Sequence, residues 1–174
     1  IGAPLRPGLV FTRNALVGTG LKDEIALGCS GKQISAFALA SSMALGADFV
    51  NTARGFMFAL GCIQSLHCHT NTCPTGIATS DPGRQRGLVI PDKADRVYHL
   101  HKNTMHALAE VVAAAGCAHP RELTPGSIIH RVTEDIARPA DQAYRLVEPG
   151  ELISVPERTH LRHDWEKAQA TSFA

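Results

Sequence analysis

The sequence predicts an α/β fold, and three observations support that class. Residues 25 to 53 show the pattern strand, helix, strand, which is typical of a parallel βαβ unit. A long helical pattern follows over residues 92 to 115. Between them, the loop of residues 59 to 80 contains three of the five cysteines in the chain. The first functional question is therefore whether these cysteines bind a metal.

Composition and charge narrow the class of protein. The chain has 174 residues, enough for one ordinary domain, and its 44% hydrophobic and 19% charged residues are typical of a globular protein. A formal net charge of +1 does not favour a nucleic-acid partner. No apolar run reaches the roughly 18 residues of a membrane span, and no signal peptide is visible, so we expect a cytoplasmic protein. Because the chain begins with Ile1, we also expect a fragment of something longer.

The first elements are predicted from apolar spacing and turn residues. The apolar residues Leu9, Val10, Leu16 and Val17 have the spacing of a helix, and this pattern ends at Gly18. The run of residues 25 to 29 suits a strand buried on both faces. Ser35 is the expected N-cap of a helix over residues 35 to 45, and residues 48 to 53 form the next strand. We expect the two strands to be parallel neighbours, with the helix packed across them.

The second half of the chain is predicted to be mostly one long helix. Pro91 and Asp92 precede the helix of residues 92 to 115, and Gly116 ends it. Its apolar stripe consists of Val97, Leu100, Thr104, Met105, Leu108, Val111 and Val112. The segment "TPGSIIHRV" predicts a short helix, and the polar composition from about residue 150 predicts extended or frayed chain. We therefore divide the chain into residues 1 to 116, which include the loop and this helix, and a C-terminal extension over residues 117 to 174.

The three loop cysteines have the spacing Cys-x5-Cys-x4-Cys-Pro and are Cys62, Cys68 and Cys73. Three thiols cannot all pair as disulfides, and thiolate is a soft ligand that selects iron–sulfur clusters, zinc or copper(I). Zinc would take a fourth ligand, for which His67 or His69 is available, although both flank Cys68 directly. A three-iron cluster needs only three protein thiolates, and proline also follows the last cysteine of ferredoxin-type runs. On spacing alone a cluster, zinc and a purely structural role all stay open.

The other cysteines and the loop histidines are expected to be structural. Cys29 and Cys117 lie in apolar surroundings, where free cysteine usually acts as a small buried hydrophobic residue. We expect His67 and His69 to hydrogen-bond to backbone rather than to ligate metal. We expect the three loop sulfurs to face a common centre even without metal.

Two turns follow the predicted strands directly and together suit a phosphate. They are Ser30-Gly31-Lys32 and Ala53-Arg54-Gly55. In a (β/α)8 barrel, the loops after strands 7 and 8 and a short extra helix form the common phosphate site. Glycine lets the backbone approach a phosphate, and the start of the helix over "GFMFALG" would direct free N–H groups at it. An ordinary turn and, for Arg54, a surface salt bridge are the plain alternatives.

The stretch "ALGADFVNTARGFMFALGCIQSLHCHTNTCPTGIATSDP" closely resembles the FMN-binding synthase domain of glutamate synthase. It is most similar to the shorter FMN-binding glutamate synthase-like proteins that lack the amidotransferase domain. In that family three cysteines after the last barrel strand hold a 3Fe–4S cluster, and Cys62, Cys68 and Cys73 match them position for position. The likeness covers about residues 7 to 135.

The resemblance implies the C-terminal part of a TIM (β/α)8 barrel: its last two strand–helix units, the cysteine-cluster loop, the long helix and an irregular tail. It implies FMN with its phosphate at Ser30, Gly31, Lys32, Ala53 and Arg54. The implied reaction reduces 2-iminoglutarate, formed from 2-oxoglutarate and ammonia or glutamine nitrogen, to L-glutamate. The implied electron donor is reduced ferredoxin or a subunit that oxidises NAD(P)H. The catalytic residues of the family lie upstream of this chain, so we assign none here.

Two other functions stay open at this point. A catalytically incomplete relic would ligate metal without binding flavin or substrate productively. A zinc-stapled interaction module would present the helix of residues 92 to 115 to a partner. A barrel needs about 250 residues, so we expect the chain alone to be incomplete for catalysis and to leave two strand edges unpaired.

Overall fold

The computed structural model describes residues 2–172, and its elements follow the predicted order in the first two thirds of the chain. The elements are α1 (Leu5–Gly18), β1 (Gly28–Ser30), α2 (Ala36–Ala44), β2 (Phe49–Asn51), α3 (Ala53–Leu60), α4 (Pro82–Gln85), α5 (Ile90–Ala114), β3 (Ile129–Arg131), β4 (Ala137–Pro139), α6 (Ala140–Ala143), α7 (Glu151–Ser154) and α8 (Arg162–Lys167). This mixture of helices and short strands is consistent with the predicted α/β class.

The predicted strand–helix–strand unit forms, but both strands are shorter than expected, and the first begins at Gly28 rather than at residue 25. β1 and β2 are a parallel pair in which Cys29 lies opposite Val50. α2 connects them and begins where the Ser35 hydroxyl accepts a hydrogen bond from the N–H of Ala38, the usual N-cap contact. Cys29 is only 2% exposed and packs with α1 in the first hydrophobic core. The sheet thus places the residues that follow both strands at one edge.

The expected burial of both strand faces is wrong for this chain. Only Cys29 is buried in β1, and both Phe49 and Asn51 are exposed in β2. Cys29 and Val50 face the core, because α1 and α2 pack there. The opposite face has no covering element within residues 2–172, so its side chains stay in contact with solvent.

α5 forms over 25 residues and packs against α2 and α3. It begins at Ile90 because Pro91 fits the first turn of a helix, where no N–H partner is lost. Leu108 and Val112 are buried in the second core, as predicted, but Met105 stays partly exposed. None of the helices described here combines the length and apolar character that a membrane crossing requires.

The C-terminal extension differs most from expectation. The short helix predicted over "TPGSIIHRV" forms only as a single 3-10 turn, Pro125–Ser127, and the rest of that segment is β3, which pairs antiparallel with β4. The chain beyond residue 150 is not merely extended, because it forms α7 and α8 and buries Leu152 and Leu161. Cross-strand pairing and a small apolar cluster supply contacts that local composition does not reveal. Cys117 is half-buried rather than buried.

Candidate functional site

One cavity of about 330 Å³ lies where β1 and β2 end. Its lining consists of Ser30, Gly31, Lys32, Ala53, Arg54, Met57, Phe58, Cys62, Gln64, Leu66 and Cys68. The parallel pairing explains this arrangement, because the carboxyl ends of parallel strands meet at one edge of a sheet. All five predicted phosphate positions and two of the three loop cysteines therefore surround the same space.

The charge of the cavity lining is positive. Lys32 and Arg54 contribute cations, and the lining residues include no aspartate or glutamate. Arg54 makes no ion pair with any residue of the described range 2–172, so the salt-bridge alternative is not observed there. Two exposed cations without acidic neighbours favour an anionic ligand.

The helix α3 begins directly at the cavity and lacks the usual cap. Thr52 is its N-cap residue, yet the Thr52 hydroxyl donates to the backbone carbonyl of Gln33 instead of accepting from the first turn of the helix. Gly55 is buried in that turn, and a Cβ atom there would lie 3.1 Å from the Thr52 hydroxyl. The first N–H groups of α3 are left without a side-chain acceptor, and a helix N-terminus of this kind binds anions well.

Gln33 joins the two turns and was missed by sequence reasoning. Its side chain is buried; its Nε2 atom donates to the carbonyl of Gly31 at 3.2 Å, and its Oε1 atom accepts from the Ser42 hydroxyl at 3.2 Å. Its own carbonyl accepts from Thr52. One residue thus ties the turn after β1 both to α2 and to the start of α3. No pattern in the sequence marks a lone glutamine for this role.

Strained backbone is concentrated around the cavity. Lys32, Gln64 and Leu66 have φ values of 52°, 56° and 61°, in the left-handed region that non-glycine residues seldom adopt. The only other described non-glycine residue of this kind is Asn71. Strain of this type costs of order 1–3 kcal/mol per residue and is concentrated at binding sites in proteins. Its position here supports a functional role for the cavity.

The cysteine loop leaves α3 at Gly61, whose left-handed φ of 102° ends the helix. Cys62 is half-buried and Cys68 is exposed, and both line the cavity. Cys73 lies outside that lining and is only 5% exposed. The loop therefore holds its cysteines in two groups.

The environment of Cys73 favours the thiolate. The pKa of the Cys73 thiol is lowered from 9.0 to about 7. The largest cause is the hydrogen bond from the Thr75 hydroxyl, which lies 3.3 Å from Sγ, and the backbone N–H groups of Ala78, Thr75 and Ile77 add to it. Burial acts in the opposite direction and raises the pKa. The thiolate is the form that binds metal. Thr75 could have been noticed from its position two residues after the last cysteine, whereas the backbone donors are visible only in the fold.

The structure does not gather the three loop sulfurs at one centre. Within residues 2–172, no group of three or more histidine, cysteine, aspartate or glutamate side chains is close enough to hold a metal ion. The expectation of a common centre is therefore wrong: Cys62 and Cys68 line the cavity, whereas Cys73 lies outside it with Thr75 as its partner. His67 and His69 are exposed, and the expected hydrogen bonds from their imidazoles to the backbone do not form within residues 2–172. The assignment of the three cysteines as ligands stays a prediction.

Comparison with known proteins shows that this sequence is similar to one protein family. Residues 1–118 match the family model for the conserved region in glutamate synthase. The glutamate synthase large subunit-like protein YerD of Bacillus subtilis is 39% identical over 131 residues, which are 75% of this chain and 25% of that protein.

Two further relatives share the match. The archaeal glutamate synthase [NADPH] of Methanocaldococcus jannaschii is 34% identical over 116 residues, which are 67% of this chain and 23% of that protein. Ferredoxin-dependent glutamate synthase 2 of Arabidopsis thaliana is 36% identical over 78 residues, 45% of this chain and 5% of that protein. The chain thus spans about a quarter of the first two relatives and far less of the third.

Proposed function

Because this chain belongs to the glutamate synthase family, we propose that it forms the end of the FMN-binding barrel of a glutamate synthase-type oxidoreductase. β1 and β2 are then the last two strands of that barrel, and the uncovered sheet face lines its interior. The complete protein makes L-glutamate from 2-oxoglutarate and ammonia or glutamine nitrogen, through FMN and a 3Fe–4S cluster. Its electrons come from reduced ferredoxin or from a subunit that oxidises NAD(P)H.

One observation carries the proposal: both predicted phosphate turns, Cys62 and Cys68 line the same cavity. Its volume of about 330 Å³ lies within the usual range for small-molecule sites. Lys32, Arg54 and the uncapped start of α3 suit a dianionic phosphate. Gly31, with a φ of 136°, lets the backbone of the first turn come close to it.

The residues of the cysteine loop also fit the second proposed cofactor, the 3Fe–4S cluster. Cys62, Cys68 and Cys73 supply three thiols within one loop, and the lowered pKa of the Cys73 thiol favours the ligand form near neutral pH. When bound, FMN supplies hydride and one-electron transfer and the cluster supplies one-electron transfer. This chain's own part is to hold the phosphate at the two turns and to provide the thiolates beside it.

The flavin part is tested by comparing Arg54→Gln with Arg96→Gln, a matched change of an exposed arginine on α5. Loss of a charge-assisted hydrogen bond to phosphate should weaken FMN binding about tenfold or more. The Arg96 variant should bind FMN like the wild type. Equal FMN affinity in both variants would remove Arg54 from the phosphate site.

The cluster part is tested by iron and sulfide analysis and electron paramagnetic resonance on anaerobically purified protein. Cys68→Ser replaces a soft ligand with a hard, weakly acidic one and should lose iron, whereas Cys117→Ser, outside the loop, should keep it. Stoichiometric zinc without iron would contradict the cluster. Iron without any flavin binding would point to the incomplete relic.

A further inference from the structure

Asn71 joins the two ends of the loop segment that contains Cys73. Its Oδ1 atom accepts hydrogen bonds from the N–H of Ser80 at 2.7 Å and from the Ser80 hydroxyl at 3.0 Å. The Thr79 hydroxyl lies 3.0 Å from the same Oδ1 atom and 2.7 Å from the Asn71 carbonyl oxygen. These contacts close the chain of residues 71 to 80 into a ring.

A second set of contacts attaches this ring to α4. The Gln85 amide donates to the carbonyl of Thr79 at 2.8 Å, and the Arg84 guanidinium donates to the carbonyl of Thr72 at 3.3 Å. Asp81 caps α4 through the N–H of Gly83 at 2.7 Å. Both ends of the ring are therefore fixed to one short helix.

Cys73 lies inside the closed ring. The hydroxyl that lies 3.3 Å from its sulfur belongs to Thr75, a residue of the ring. The backbone N–H groups of Thr75, Ile77 and Ala78, which favour the thiolate, belong to the ring as well. Cys62 and Cys68, in contrast, belong to the part of the loop with left-handed residues beside the open cavity. The segment around Cys73 is thus held in place by its own contacts.

We propose that Asn71 is a positioning residue, which clamps residues 71 to 80 and presents Cys73 as a preformed ligand that Cys62 and Cys68 join when metal binds. The inference rests on the proposed function. Asparagine suits the position for two reasons: it tolerates the left-handed φ of 61°, and its side chain acts here through a carbonyl acceptor. Aspartate shares both properties, whereas glycine shares only the first.

The clamp is tested first in the metal-free protein. Asn71→Gly should speed hydrogen exchange of the Ser80 amide about tenfold or more, since several hydrogen bonds are lost together, and should speed alkylation of the buried Cys73 by iodoacetamide. Asn71→Asp should restore both rates to near the wild-type values. Asn103→Ala, on an exposed position of α5, is the control and should change neither rate.

A second measurement uses the iron-loaded protein. Hydrogen bonds to cluster sulfurs stabilise the more negative, reduced state, so Asn71→Gly should shift the midpoint potential of the cluster to a more negative value. It should also speed iron release to a chelator. A change that was merely structural and remote from the cluster would leave the potential unmoved.

The outcomes separate the clamp from the cluster. Equal Ser80 exchange in wild type and Asn71→Gly, or an Asn71→Asp variant as open as Asn71→Gly, overturns the clamp. An unmoved potential in loaded Asn71→Gly overturns its role toward the ligand. Protein that never holds iron, yet opens in Asn71→Gly, contradicts the proposed cluster while it supports the clamp.

Discussion

The side-chain amide of Asn14 donates a hydrogen bond of 2.7 Å to the carbonyl oxygen of Arg145, although 131 residues separate them in the chain. The Asn14 side chain is completely buried, and its Oδ1 atom also accepts from the N–H of Val147 at 3.3 Å. A backbone hydrogen bond of 3.0 Å from Gly150 to the carbonyl of Val17 follows nearby. The extension is therefore held against the first helix by polar contacts, in which Asn14 and Val147 are buried.

Asn14→Ala should lower the free energy of unfolding by about 2–4 kcal/mol, because it leaves the N–H of the buried Val147 without a partner and also removes the part-buried hydrogen bond to the Arg145 carbonyl. Urea denaturation followed by circular dichroism measures the change. The control Asn103→Ala, at an exposed position on α5, should change stability by less than about 0.5 kcal/mol. Equal midpoints for the two variants would show that the extension does not depend on this contact.

Leu152 and Ile153 are neighbours in α7 with opposite burial, 1% and 62% exposed. Leu152 packs against Gly18 of α1, where a Cβ atom would lie 2.7 Å from the leucine side chain. Leu152→Ala should therefore cost about 2–5 kcal/mol of unfolding free energy, and Ile153→Ala should cost less than about 1 kcal/mol. Similar losses in the same denaturation experiment would contradict an ordered end of the chain.

Gly76 and Gly116 form a matched pair with φ values of 77° and 78°. A Cβ atom at Gly76 would overlap the backbone carbonyl oxygen of Arg84, whereas one at Gly116 would meet nothing within 4 Å. Both alanine variants share the left-handed strain of roughly 1–2 kcal/mol, but only Gly76→Ala should displace α4 from the cysteine loop. We expect iron content to fall in Gly76→Ala and to be kept in Gly116→Ala.

The Cys73 thiol, with a pKa lowered from 9.0 to about 7, makes the stability of the metal-free protein depend on pH. Between these values the folded thiol is ionised while the unfolded thiol keeps its proton, so the free energy of unfolding should rise with pH. The gain is complete above pH 9.0 and is lost as pH falls through about 7.

Thiolate absorbance during a pH titration gives the pKa of Cys73 directly, as the difference between wild type and Cys73→Ser. Thr75→Val removes the largest cause of the shift and should move the pKa back toward 9.0. The wild-type rise in stability between the two values should disappear in Cys73→Ser. A wild-type pKa near 9.0 would contradict the hydrogen bonds to the Cys73 sulfur.

Local signals predicted the elements that depend on near neighbours in the chain. Ser35 caps α2 through a residue three positions away, and Gly116 follows the end of α5 with its own left-handed φ. The cysteine spacing and the two turns after the strands likewise indicate a cofactor site from the sequence alone. Residues of this kind act through short-range geometry, which sequence patterns record.

Contacts between distant parts of the chain were not predictable in the same way. The segment near Ile129 forms a strand because Pro139 and its neighbours pair with it, although its local pattern suggested a helix. Gln33, Asn71 and Asn14 are ordinary polar residues whose roles depend on which backbone groups the fold places opposite them.

The sequence by itself determined the βαβ unit, the long helix α5, the likeness to the glutamate synthase family and the residues to expect around a cofactor. Only the tertiary structure decided that the two turns share one cavity with Cys62 and Cys68, that Cys73 lies apart in a closed ring, and that the extension packs on α1. The physical reason is the distance along the chain over which each interaction acts. Caps, turns and periodicity involve residues a few positions apart, whereas burial and hydrogen-bond pairing depend on groups that the whole chain brings together.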